Sequence, residues 1–321
     1  MFDVRKRYFI TILAVGLLTA CSNDGDTPTQ SDEQVPLRIE SSIGLLGTGV
    51  TRASETHWDA ADKIGVYVMV HNSTSEVFTD VTNTEGVNLP FTYADVDDDA
   101  HKETYPESVT TYRPFSGSVI YLPKTGSVDV YGYYPHSAAA TNANAIPVSV
   151  SNQTSQAAID FMTADRSAGQ VNDLTRSLST AKLLFEHRLV KLVFNLKPGT
   201  DMLEGELTNA TLTLDKQPVK ATYNLITDGI DMTAGTSILT AVNSASAPPD
   251  GYEKTLELIV LPNGTNNLAA DRTVTITFGS TANTFTIAGA TSFAAGTKYT
   301  YNVTVNATSI TVDKDKFTDQ W

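Results

Sequence analysis

The chain of 321 residues contains one cysteine, Cys21. It can form no internal disulfide and no zinc–cysteine cluster. The five histidines, His57, His71, His101, His136 and His187, are scattered, with no pair at i, i+4 and none beside a nucleophile in sequence. Glycine-rich phosphate loops are missing too, so the sequence offers no catalytic residues, no metal site and no cofactor, and we read it as a non-enzyme. Asp95, Asp97 and Asp99 are spaced like the opening of a calcium loop. Ala100 and Pro106 stand where its glycine and glutamate belong, and the stretch reads as a solvated acidic loop. Basic residues are outnumbered 22 to 36, for a net charge of −14, which argues against nucleic acid as a partner. Charged residues make up only 18% and apolar residues 41%, so the chain has the material for a core. Long amphipathic helical patterns are also missing.

What is present begins with a targeting segment. Arg5, Lys6 and Arg7 precede an apolar run from Ile10 to Leu18, too short to span a bilayer and suited to a secretory signal over residues 1–20. The run closes on Leu18-Thr19-Ala20-Cys21, which resembles a bacterial lipobox, so the lone cysteine is the expected lipid attachment point. The following SNDGDTPTQSDEQ, Ser22 to Gln34, is polar and acidic and reads as a tether. Its start, Ser22-Asn23-Asp24, resembles the surface-export signal of Bacteroidales lipoproteins.

Beyond the tether, period-two alternation dominates and predicts an all-β protein. Val35, Leu37, Ile39, Ser41 and Ile43 share one face of an extended segment. Ile64 to Val70 is apolar on both faces, which places it inside a covered sheet. Val190, Leu192, Phe194 and Leu196 alternate until Lys197-Pro198-Gly199 stops the strand. Val274, Ile276 and Phe278 alternate with threonines, as do Tyr299, Tyr301, Val303 and Val305 with Thr300, Asn302 and Thr304. Short strands separated by Gly, Pro, Asn and Asp suggest β-sandwiches. A break near Lys197 to Glu206 divides the body into 53–200 and 201–321, after a tether and first strand over 21–52.

Several segments together resemble the fimbrillin family of Bacteroidales, the shaft and tip subunits of type V pili. They are the lipobox at Cys21, Thr51-Arg52-Ala53-Ser54, and Trp58-Asp59-Ala60-Ala61-Asp62-Lys63-Ile64-Gly65-Val66-Tyr67. Later come Val128 to Pro135, Asp160-Phe161-Met162, Leu184 to Leu192, and Gly296 to Val305. The resemblance implies two tandem transthyretin-like β-sandwich domains. It implies a precursor lipid-anchored at the outer membrane, which an arginine-specific protease cuts between Arg52 and Ala53. The segment carrying Val35, Leu37, Ile39 and Ile43 is then displaced, and other pilus subunits supply a donor strand to the groove in a cell-surface fimbrium that supports adhesion. Arg38 is the competing cleavage site, shielded by lying within the strand pattern. In this chain Ile310, Val312, Phe317 and Trp321 form a candidate donor tail, the alternative being that the tail pairs within its own domain. A different reading of the whole is a non-polymerising surface lipoprotein that holds a glycan or a host protein, in which Tyr131, Tyr133 and Tyr134 would be exposed.

Overall fold

Why the chain forms strands is visible in residue type: β-branched and aromatic side chains alternate with polar ones, and Gly, Pro and Asn close each run. The computed structural model describes residues 33–44, 58–93, 112–233, 235–263, 271–313 and 317–321. Among them there are twenty strands and no helix. The first eight are β1 (Arg38–Ile43), β2 (Lys63–Val70), β3 (Leu89–Tyr93), β4 (Arg113–Gly117), β5 (Val128–Tyr134), β6 (Ile146–Ser149), β7 (Met162–Ala164) and β8 (Thr180–His187). Then follow β9 (Val190–Pro198), β10 (Thr211–Pro218), β11 (Lys220–Asn224), β12 (Gly229–Met232), β13 (Thr236–Thr240) and β14 (Val242–Asn243). The last six are β15 (Lys254–Val260), β16 (Arg272–Phe278), β17 (Thr281–Ile287), β18 (Thr297–Val305), β19 (Ile310–Val312) and β20 (Phe317–Gln320).

The first half closes into a barrel in the order β1-β4-β3-β2-β5-β7-β8, where the sequence predicted a β-sandwich. Every neighbouring pair around it is antiparallel except β1 with β8, which run parallel and seal it. β2 and β5 are buried along nearly their whole length, as their continuous apolar character demands. Gly65 on β2 faces Tyr133 on β5, and a Cβ there would lie 2.1 Å from the tyrosine ring, so glycine is what lets that ring lie across the strand.

A four-stranded sheet, β13-β10-β16-β17, and a second sheet, β14-β15-β9-β18 with β19 and β20 both on the far edge of β18, share one apolar core. Their inward rows are the alternating residues read from sequence: Leu192, Phe194 and Leu196; Val274 and Ile276; Val303 and Val305, all fully buried. β9 pairs with β15 and β18, so the chain leaves the barrel between His187 and Val190, ahead of the boundary drawn at residue 200. A small sheet, β12-β11-β6, stands alongside, and its Ile146, Val148, Ala221 and Tyr223 join the same core as Tyr67 and Tyr133 on the barrel. Gln34–Trp321 therefore forms one compact unit.

Candidate functional site

The first strand is the residue set on which an assembly mechanism would turn. Leu37, Ile39 and Ile43 are buried in the barrel's core, between 2% and 6% exposed, while Val35 is half-buried. Arg38 points outward. The backbone of β1 is engaged on both sides. Ile39, Glu40 and Ser41 pair with Phe115, Pro114 and Arg113 of β4, and Arg38 through Ile43 run in register with Thr180 through Phe185 of β8. Further bonds extend the grip, from Leu37 N–H to Ile120 O (2.9 Å), Leu122 N–H to Val35 O (2.9 Å), Arg38 N–H to Ser179 O (2.8 Å) and Gly44 N–H to Phe185 O (2.8 Å).

The two walls of this slot meet beneath it. Trp58 is buried, and its ring stands edge-on to Phe115 at 5.3 Å, to Phe185 at 5.2 Å and to Tyr134 at 5.3 Å. Phe115 belongs to β4 and Phe185 to β8, the strands β1 separates. Sequence reasoning quoted Trp58 without seeing this bridging role. A buried tryptophan with an indole N–H that finds no acceptor leaves no local pattern to read.

One position in β1 fits poorly. Ser41 is fully buried and its hydroxyl has no hydrogen-bond partner. A buried unpaired hydroxyl costs about 1–3 kcal/mol. The gain from Leu37, Ile39 and Ile43 is about 1.5–3 kcal/mol each. The balance still favours the seated strand, but by less than an apolar residue at position 41 would give.

The tail residues lie at the other end of the molecule's strand order. Ile310 and Val312 are half-buried on β19, opposite Val305 and Val303. Phe317 pairs through its backbone with Thr300. Trp321 stacks on His187, centroids 4.6 Å apart and planes 10° from parallel, and His187 Nδ1 lies 2.9 Å from Asp160. Its backbone N–H reaches Gly296 O at 2.8 Å. The tail thus pairs along the edge of its own sheet. Tyr131, Tyr133 and Tyr134 are buried, the first under the Arg166 guanidinium at 3.8 Å, so they form no exposed aromatic platform. Cys21, Arg52, Ala53 and the Asp95–Asp99 loop lie outside the described residues. Among the described residues no group of three acidic, histidine or cysteine side chains could hold a metal, and no helix is long and apolar enough to cross a membrane.

A barrel closed by its first strand, sharing one compact unit with two sheets that end in an edge-docked tail, defines an all-β architecture. Comparison with known proteins gives that architecture a family. The model of the fimbrillin-like family matches residues 51–319, and the chain belongs to that family. It is 30% identical over 315 residues to the Bacteroides uniformis protein named "Putative fimbrium subunit Fim1C", a match that covers 96% of this chain and 93% of that one. Two solved structures share the fold with a TM-score of 0.63 each. One, a "putative cell adhesion protein" from Bacteroides uniformis, is 24% identical and covers 89% of this chain and 98% of its own. The other, described in the same words, comes from Bacteroides ovatus, at 19% identity with 90% and 98% covered.

Proposed function

We propose that this fimbrial-family chain is a structural subunit that is exported as a lipoprotein through Cys21 and activated by an arginine-specific protease at Arg52-Ala53. It then polymerises by donor-strand exchange into a fimbrium that supports adhesion. Two tandem transthyretin-like domains belong to the same reading. The carrying observation is the position of β1: it lies ahead of Arg52 in sequence, yet it completes the barrel by pairing on both flanks. Excising it would leave two unpaired strand edges and three vacated apolar sites, a surface that favours strand addition. The docked tail supports its own candidacy as donor. It is held by a three-residue and a four-residue strand on one edge only, and Ile310 and Val312 are already half-exposed.

The test is to treat the purified chain, lacking residues 1–20, with an arginine-specific protease and to run unheated samples on a gel. A ladder of multimers appears only after cutting, and an Arg52→Ala variant stays monomeric. Clean cleavage after Arg52 with no multimer, or multimers formed equally by the uncut variant, would refute the reading.

A further inference from the structure

One end of the barrel gathers both the entry of the chain and exposed apolar side chains. β1 starts there at Arg38, β5 at Val128 and β8 at Thr180, while β2 and β4 finish there at Val70 and Gly117. The loops that follow β2 and β4, and the one that precedes β8, therefore meet residues 34–37. β8 runs from this end to the opposite one, where the chain passes into β9 and the remaining sheets.

Backbone contacts fix the meeting. Pro36 bridges to Tyr121, and the Tyr121 N–H donates to Asp80 Oδ2 at 2.9 Å. The Leu37 N–H donates to Ile120 O at 2.9 Å and the Arg38 N–H to Ser179 O at 2.8 Å. Val81, Val119 and Leu178 each stand next in sequence to one of these partners, so they surround the first residues of β1. Five large apolar side chains are exposed among the described residues, and these are three of them, at 58%, 55% and 39%. Pro36 is exposed and Tyr121 half-buried beside them. Exposed apolar residues gathered in one place mark an interaction surface, whereas single ones need no explanation. Glu76, Glu85 and Lys124 of the same loops are of both signs, so the character of the patch is apolar.

The chain leading into this end identifies the occupant. Cys21 and Gln34 are thirteen residues apart. A flexible stretch of that length averages about 20 Å from end to end. With lipid on Cys21, a bilayer is held within that distance of the patch, at an effective concentration in the mM range for so short a linker. A contact too weak to hold by itself is then populated. A tyrosine with an apolar body and a polar tip, set among short aliphatic side chains, suits the boundary between headgroups and acyl chains. We infer that this end of the barrel is a lipid-facing surface, on which the precursor rests against the membrane through Pro36, Val81, Val119, Tyr121 and Leu178. The inference rests on the lipoprotein part of the proposed function and adds an orientation to it. β1 leads away from the bilayer, so the chain beyond Gly44 toward Arg52 leaves from the far end of the strand, on the side a soluble protease approaches.

The experiment uses the uncut chain without residues 1–20, in which Cys21 is the one thiol. It is coupled through that thiol to a maleimide phospholipid in phosphatidylcholine–phosphatidylethanolamine vesicles. Its hydrogen exchange is compared with that of the same chain capped by a soluble maleimide. Peptides covering 78–84, 117–122 and 175–180 should exchange at least about threefold more slowly on the vesicles. Peptides covering the exposed Leu203 and Ile238, which lie outside the barrel, should not change. A triple variant, Val81→Asp with Val119→Asp and Leu178→Asp, should melt within a few degrees of the parent and lose the protection while still coupled. If the triple variant does not fold, Val119→Asp alone takes its place. Exchange unaffected by vesicles, slowed equally at Leu203 and Ile238, or still slowed in the folded variant would overturn the inference. Because the lipid link is made chemically, failure here speaks to the surface alone and leaves export, cutting and polymerisation to their own test.

Discussion

At the scale of single residues, shape and charge make separate demands. Tyr133 is fully buried, and its hydroxyl reaches Asn88 Oδ1 at 2.7 Å and Ser137 O at 3.1 Å. A methyl group at Gly65 would drive the ring from that seat. Gly65→Ala is expected to cost about 1–3 kcal/mol, the usual range for overpacking, read as a lower midpoint in denaturant with an unchanged slope. Charge concentrates at Asp129. Burial pushes its carboxyl up, but hydrogen bonds from His71 and from the backbone of Asp173 and Asn72 outweigh that and hold it below the ordinary carboxylate range. The same bond raises His71. The two signs differ. The Asp129 contribution is present above its unfolded value and vanishes as pH falls through its lowered folded value. That of His71 is complete below its unfolded value and vanishes as pH rises through its raised one. The melting temperature should therefore be highest between the two, and Asp129→Asn should flatten both flanks of a pH series. Nothing in the sequence announced this pair, because His71 and Asp129 become neighbours only when β2 and β5 pair.

At the scale of elements, the proposed processing makes β1 a component whose worth would change on cutting. Ile39 is 2% exposed, and Ile39→Ala should destabilise the uncut chain by about 2–5 kcal/mol, as buried isoleucine truncations do. After arginine-specific cutting and removal of the freed segment, the same variant should unfold at the same denaturant concentration as the parent. A deficit that persists after cutting would mean that β1 never leaves. The alternation at 35–43 was legible because one face of β1 is buried, and so were β9 and β18, where period-two patterns map onto fully buried rows. The closure of the barrel was not. It depends on β1 lying parallel to β8, some 140 residues on, and a long-range parallel pairing imprints no local pattern. β20 was legible only in part: Phe317 marks a tail able to pair within its own domain, as it does. Thr318-Asp319-Gln320 has no apolar alternation, and it forms a strand by adding to the edge of β18. Ser137 to Asn144 forms a loop, yet Ala140 and Ala143 are buried in it, where the Tyr67 hydroxyl donates to Ala140 O at 2.5 Å. Small side chains there serve close packing, which composition alone cannot distinguish from a flexible linker.

At the scale of the whole molecule, the proposed cut would turn a self-sealed barrel into one with a vacancy of defined sequence preference. A synthetic peptide spanning residues 35–45, added in excess to freshly cut protein, should occupy that vacancy and suppress the multimer ladder in a concentration-dependent way. A peptide with Ser41 replaced by valine should do so at lower concentration, since the native serine leaves an unpaired hydroxyl in the core. A ladder indifferent to either peptide would place the joint between subunits elsewhere. The fimbrillin-like match begins at residue 51, after β1, so the family model covers the body that the proposed cut would leave.

The seat of β1 also has a mechanical meaning. Its bonds to β4 and β8 lie on both flanks and run side by side along the strand. A tug along the strand's own axis strains all of them together, whereas peeling from one end would break them singly. Under the proposed exchange, any replacement strand in that seat would inherit the same loading, so a thread of such subunits would yield under drag only when a whole row of bonds gives way at once.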